Sequence, residues 1–252
     1  MSRGACRLAV VKLGGGAITV KELPETVDYR SLEEAALQLA EYRSNGGLLV
    51  VVHGGGSFGH ATVARILREK GRLSPLDSSI VQESMLKLAL IVTRALQDKG
   101  LKPSLHPPHS LCINDDLSTC NLKVIERDLE EGLTPVTYGD AIPVGGETRI
   151  VSGDDLAAEI AVRLKADCLI YVIREPGVIG ASGEPLQTLR DVREVRVVDM
   201  KWDDVTGGII RKVEIALKAS KTVENVIITN IENLSRALKG EPVGTRIKAY
   251  NL

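Results

Sequence analysis

The chain has 252 residues, 44% hydrophobic and 26% charged, enough to bury a substantial core as one large α/β domain or as two lobes around a cleft. Thirty-two basic side chains face 33 acidic ones, and only one Trp, five Tyr and one Phe are present, so a nucleic-acid partner, which would want a basic surface interleaved with aromatics, is not expected. No apolar run reaches the length of a membrane span, and residues 1–12 lack an apolar leader core and a cleavage site, so no membrane association is expected and the cytoplasm is the expected compartment.

In chain order, "RLAVVKL" (7–13) reads as a buried strand running into Gly14-Gly15-Gly16. "SLEEAALQLAEYRSNGG" (31–47) reads as a helix, with Ser31 placed to cap it, Glu33 and Glu34 suited to its first turn and Gly46-Gly47 ending it. "LLVVV" (48–52) is a second buried strand and opens onto "HGGGSFGH". Helices are predicted over 58–70 and 78–100. Then follow a strand over 133–138, an amphipathic helix over 153–167, a strand over 168–173, a helix over 207–223, a strand over 225–229 and a short helix over 231–240. "AIPVGGETRIV" (141–151) and residues 181–199 suit antiparallel hairpins or insertions. Alternating strands and helices imply parallel βαβ units in a sheet covered on both faces, with a conceivable division near residues 175–180. Cys6, Cys112, Cys120 and Cys168 are scattered without a CxxC pair, and a disulfide or zinc site is disfavoured in a reducing compartment.

The chemistry is written at the strand ends. Glycine has no Cβ, so a polyanion can approach its backbone N–H groups, and a glycine turn before a helix adds the positive end of the helix dipole. Gly14–Gly16 and Gly54–Gly56 supply this twice, and ligands of open α/β sheets bind outside the carboxyl ends of the strands. Tight turns need glycine too, so either triplet alone also fits an ordinary turn. No Walker A sequence occurs. Lys12 ends an apolar strand, where a charge is costly unless an anion pairs with it. Lys21 follows nine residues later, either within reach of the same space or as a solvated surface lysine. Two such lysines suit phosphoryl transfer, whose catalysis is mostly positioning and cationic stabilisation. Asp154 and Asp155 start a helix, where the dipole alone favours carboxylates; the alternative is that Asp154 orients lysines or helps hold Mg²⁺. His53 reads as structural, and "HPPH" (106–109) as an extended segment near the acceptor pocket. Met85, Leu88, Ala89 and Val92, with Val63, Ile66 and Leu67, form apolar stripes that are either core or the walls of a pocket for an apolar tail.

"VVKLGGGAIT…K", "VVHGGGSFGH", "YGD…IVSGDDLAAEIA", "DVTGGIIRK" and "GTRI" occur in the order found in the amino acid kinase superfamily, and within it the set most resembles the isopentenyl phosphate kinases. The histidine closing "HGGGSFGH" is similar to that of the isopentenyl phosphate and fosfomycin kinase branch. The resemblance spans essentially the whole chain and implies a three-layer α/β/α sandwich with a mainly parallel central sheet. It implies one amino acid kinase domain, with an acceptor-binding lobe over about 1–175 and a nucleotide-binding lobe over about 176–252. It further implies ATP-dependent phosphorylation of isopentenyl phosphate with Mg²⁺, in isoprenoid synthesis, by a homodimer. Carried over residue by residue, Lys12, Gly14, Gly15 and Gly16 hold the transferring phosphates and Lys21 stabilises the transition state. Gly55 and Gly56 approach nucleotide and acceptor phosphates, His60 binds the acceptor phosphate with Gly153 beside it, and Gly208 and Lys212 lie on the nucleotide side. No resident metal site in the protein is implied.

The physical reading meets this resemblance at His60. A phosphomonoester has a second pKa of about 6, so at neutral pH it is already a charged nucleophile and needs an orienting donor rather than a base. A buried or helix-capping histidine is the alternative. The sequence departs from the family at "IREPGVI" (173–179), where relatives carry a "TDVDGVY"-like segment: Arg174 and Pro176 replace both aspartates. The arginine is expected either on phosphate or ribose or in solvent. The rivals are a kinase for another small phosphate or phosphonate such as fosfomycin, a carboxylate kinase such as acetylglutamate kinase, and a nucleotide-binding regulator that has lost catalysis.

Overall fold

A computed structural model describes residues 6–195 and 208–250. The chain enters through strand β1 (Leu8–Leu13), a single turn α1 (Gly15–Ile18) and helix α2 (Tyr29–Ser44). Strand β2 (Leu48–His53), helix α3 (Gly56–Lys70) and the long α4 (Asp77–Asp98) follow. A stretch of short elements comes next: β3 (Pro103–Leu105), α5 (Pro108–Leu111) and α6 (Lys123–Glu130). Beyond it lie β4 (Thr134–Tyr138), the hairpin β5 (Asp140–Val144) and β6 (Glu147–Val151), helix α7 (Gly153–Arg163) and β7 (Cys168–Val172). The rest comprises β8 (Thr188–Leu189), α8 (Gly208–Ala219), β9 (Asn225–Thr229), α9 (Leu234–Leu238) and β10 (Thr245–Ile247).

Eight strands form one sheet in the order β3-β4-β2-β1-β7-β9-β10-β8, parallel throughout except where β9 meets β10. The central strands are apolar without alternation because both faces are covered. Val10, Val50, Val52, Leu169, Tyr171 and Val226 pack on one side with α6, α7 and α8, through Ile125, Leu156, Ile160 and Val213. Their neighbours Ala9, Val11, Leu49, Val51, Ile170 and Val172 pack on the other with α2, α4 and α9, through Leu32, Leu39, Leu88, Val92 and Leu234. This is the expected three-layer α/β/α sandwich. The sheet contains strands from both sides of residues 175–180.

Three local readings are corrected. Helix α2 starts at Tyr29, because Asp28 caps it: the Asp28 carboxylate accepts from the Ser31 N–H (3.1 Å) and the Ser31 hydroxyl (2.8 Å). Ser31 is therefore capped, not the cap. Helix α7 stops at Arg163 rather than 167, since Lys165 turns left-handed (φ 51°). The predicted helix over 231–240 divides into a 3₁₀ turn (Ile231–Asn233) and α9.

The cysteines overturn their reading. Cys6 pairs with Cys168, and Cys112 with Cys120, with Cα atoms 5.6 and 4.2 Å apart. The first pair is 162 residues apart in sequence, and parallel pairing of β1 with β7 brings it together, Ala9 standing opposite Cys168. Among the described residues no helix is long and apolar enough to cross a membrane. The first residues of "DVTGGIIRK" (204–207), the start of the helix predicted from 207 and the end of the 181–199 segment lie outside the described residues.

Candidate active site

Strands β1, β2, β4, β7 and β9 end along one edge of the sheet, where Leu13 stands opposite His53 and His53 opposite Tyr138. Both glycine turns leave from this edge and interlock. A Cβ on Gly15 would stand 2.1 Å from the Gly56 backbone nitrogen, and Gly56 has φ +48°. Glycine is thus required here for the two loops to touch, before any ligand is considered. Thr19 fixes the junction: its hydroxyl donates to the Gly15 carbonyl (2.8 Å) and accepts from the Ser57 N–H (3.0 Å). Ser57 is buried, with its hydroxyl donating to the Thr26 carbonyl (3.0 Å) and accepting from the Thr26 N–H (3.1 Å). Ser57 therefore ties the second loop to the segment that carries Lys21.

Beneath the junction sits a lysine–carboxylate–lysine trio. Lys12 Nζ lies 2.6 Å from Asp154 Oδ1, and Lys212 Nζ donates to Asp154 Oδ2. Lys12 is only 6% exposed and Lys212 9%. Ser152 caps α7, its hydroxyl accepting from the Asp154 N–H (3.2 Å), and the Tyr171 hydroxyl donates to the Asp154 carbonyl (3.1 Å). The Lys212 ammonium also stands 5.5 Å from the centre of the Tyr171 ring. Burial alone would raise the Asp154 carboxyl, but the charges and hydrogen bonds of Lys12 and Lys212 override it and hold it well below the ordinary carboxylate range. Lys212 is pushed down to about 8, by burial first and by the Lys12 charge second, with Asp154 opposing both. Two ammonium groups against one carboxylate leave a buried surplus of positive charge, which an anionic ligand relieves. Asp154 thus pairs with both lysines while standing in the first turn of α7.

Lys12, Gly15, Gly55, His60, Gly153 and Asp154 line one cleft, which encloses about 580 Å³ counting its open mouth, a size usual for small-molecule sites. Half-buried His60 lies over the second loop, its Cδ2 3.3 Å from where a Gly55 Cβ would be. Val63, Val81, Met85 and Ile150 supply an apolar wall, while Leu88, Ala89 and Val92 of the same predicted stripe are buried core. Lys21 is exposed on the turn after α1 and outside the cleft lining, its Cε 3.2 Å from where a Gly16 Cβ would be. Gly14, Gly16, Gly56 and Lys212 adjoin the cleft rather than line it; Gly208 begins α8 with φ +59°.

His53 is fully buried, stacks on Tyr138 (5.1 Å between centroids, 27°) and is pushed down to about 4 by burial. "HPPH" is not extended throughout, since Pro108 starts α5. Its His109 Nδ1 reaches Asp140 Oδ2 (2.7 Å), and Asp140 lines the cleft. Burial raises the Asp140 carboxyl against the pull of His109. Gly139, Asp140 and Ser152 are site residues that sequence reading missed; the alternation "YGD…IVSG" around the hairpin was their only signal. Arg174 also reaches the site: exposed at the surface, it turns its guanidinium onto the glycine turn, Nε donating to the Gly16 carbonyl and Nη2 to the Thr19 carbonyl (3.1 Å). Gly177 and Val178 of the same segment pack on β10, the Val178 N–H donating to Thr245 Oγ1 (2.8 Å).

Comparison with known proteins places this architecture. The isopentenyl phosphate kinase of Haloferax volcanii is 35% identical over 96% of this chain and 98% of its own. That of Methanocaldococcus jannaschii is 28% identical over 95% and 98%. The solved product complex of Thermoplasma acidophilum isopentenyl phosphate kinase superposes with a TM-score of 0.75 at 27% identity, covering 96% of this chain and all of that one. Residues 7–230 match the Amino acid kinase family, and with the interlocked glycine turns and the buried trio in place, the chain belongs to that family.

Proposed function

We propose that the protein is an isopentenyl phosphate kinase, transferring the γ-phosphoryl group of ATP to isopentenyl phosphate to give isopentenyl diphosphate. The observation that carries this reading is the mixed lining of the cleft: Lys12, Gly55 and His60 share it with an apolar wall of Val63, Val81 and Met85. A small ester with an anionic head and a hydrocarbon tail matches both kinds of lining. The apolar wall favours it over the compact, polar fosfomycin and over a charged carboxylate acceptor such as acetylglutamate, neither of which carries a hydrocarbon tail to cover that wall.

In this reading His60, with Gly55 and Gly153 beside it, holds the acceptor phosphate so that its oxygen points at the donor. Lys12, Gly14, Gly15, Gly16 and Gly56 receive the transferring phosphates, with Lys212 and Gly208 toward the nucleotide. Lys21 meets the charge that develops on the group in flight. Asp154 has both oxygens engaged by lysines, and among the described residues no cluster of His, Cys, Asp or Glu could hold a metal. Mg²⁺ therefore fits as a companion of the nucleotide phosphates, where it neutralises charge, rather than as a resident ion. An acceptor lobe over about 1–175, a nucleotide lobe over about 176–252, a homodimeric assembly and a cytoplasmic location complete the proposal.

The test is a coupled ADP-release assay with isopentenyl phosphate, dimethylallyl phosphate and fosfomycin. Turnover of the first two is expected, together with a His60→Ala variant that keeps its affinity for ATP and loses at least about 100-fold in kcat. Near-normal turnover by that variant would remove the histidine from the mechanism, and preference for fosfomycin would replace the acceptor.

A further inference from the structure

Arg174 lies two residues beyond β7, in the segment where this sequence departs from its family. Thr19 stands across from Val27 in an isolated antiparallel bridge. Its neighbours are paired on that side, the Asp28 N–H donating to the Ile18 carbonyl (3.0 Å) and the Val20 N–H to the Thr26 carbonyl (2.9 Å). Alternation of the backbone turns the Thr19 carbonyl the other way, where Arg174 Nη2 meets it. Arg174 Nε takes the Gly16 carbonyl, an acceptor that a one-turn helix leaves without an internal partner. One guanidinium thus closes both ends of the stretch between the glycine turn and Lys21. Lys21 begins two residues later and runs back past Gly16.

We propose that Arg174 is a positioning residue for phosphoryl transfer: by holding the Gly16 and Thr19 carbonyls it keeps Lys21 over the glycine turn. The inference rests on the kinase reading, in which Lys21 meets the transferring group. The planar guanidinium serves two carbonyls at once; a lysine at 174 would keep the charge but lose the paired geometry. The role belongs to the backbone and not to ligand, so it should appear in kcat and not in affinity.

The experiment is a double-mutant cycle of R174A with K21A, with R174K as the conservative variant, read on whichever of the three acceptors the wild-type protein turns over. R174A is expected to lower kcat about tenfold with acceptor and ATP KM within about threefold, and R174K to recover part of the loss. In the K21A background, R174A should cost no more than about twofold, because the two side chains act as a unit. Amide hydrogen exchange at Val20 and Asp28 should quicken at least about tenfold in R174A, a readout that needs no turnover. Unchanged exchange, an unchanged kcat, or losses that multiply in the double variant would each overturn the proposal. Failure of isopentenyl phosphate as substrate would fall on the acceptor assignment instead, since the exchange and the cycle on another acceptor still report on Arg174.

Discussion

Replacing Asp154 by Asn removes one negative charge from between two buried ammonium groups and keeps the volume. Breaking a buried ion pair by deleting one partner costs about 3–5 kcal/mol, and because Asn retains one acceptor the lower end applies, about 3 kcal/mol at neutral pH. For a chain of this size that corresponds to a fall in Tm of about 6–12 °C. The pH dependence carries a second signature. The folded Asp154 carboxyl titrates well below its ordinary 3.8, so its stabilisation is present above that value and lost as pH falls below it. D154N should therefore lose the part of the acid sensitivity that the wild-type protein owes to this group. Lys212 has the same sign in a higher window: its folded value of about 8 lies below the ordinary 10.5, so the unfolded chain binds more protons and stability rises with pH between the two. Without Asp154 to oppose burial, the start of that rise should move below pH 8. Thermal melts followed by circular dichroism from pH 3 to 10 read all three effects. A D154N protein that melts within a degree or two of wild type at pH 7, with its acid limb unchanged, would refute the trio as a coupled unit.

Other outcomes follow from the same geometry. Lys21→Ala should depress kcat at least about tenfold while KM for ATP changes little, since in the proposed reaction its contact forms chiefly with the group in transfer; steady-state kinetics decide it. Ser57→Ala leaves the Thr26 N–H and carbonyl without their buried partner and should cost about 1–3 kcal/mol in urea denaturation. Denatured without reductant, the chain should present no reactive thiol to Ellman's reagent, and four after reduction. Two thiols before reduction would unmake one bridge, and four would unmake both.

How much of this was legible depended on whether partners are close in sequence. Lys12, the two glycine turns and His60 are written within short contiguous stretches, so their convergence could be read from strand ends alone. The role of Asp154 could not, because its two lysines come from β1 and from α8, 58 residues on, and only the sheet order brings them together. Arg174 could not be assigned for a related reason: its partners are backbone carbonyls 155–158 residues away, and carbonyls leave no mark in side-chain identity. The Cys6–Cys168 pair depends on the register of parallel strands, which composition does not encode. Between residues 100 and 111 β3 and α5 are too short and too interrupted by proline to build a period, and α6 spans only eight residues; all three went unread. Helix ends followed single residues, Asp28 at one and Lys165 at another, whose effect is conformational rather than hydrophobic.

The covalent tie between Cys6 and Cys168 sits where β1 and β7 begin, while the glycine turns, Lys12 and Arg174 sit where those strands finish. The sheet is thereby stapled at its foot and left unstapled at its head. A crosslink at the foot limits how far the starts of the two strands can part, and leaves the other end held by hydrogen bonds and ion pairs alone, which can break and re-form singly.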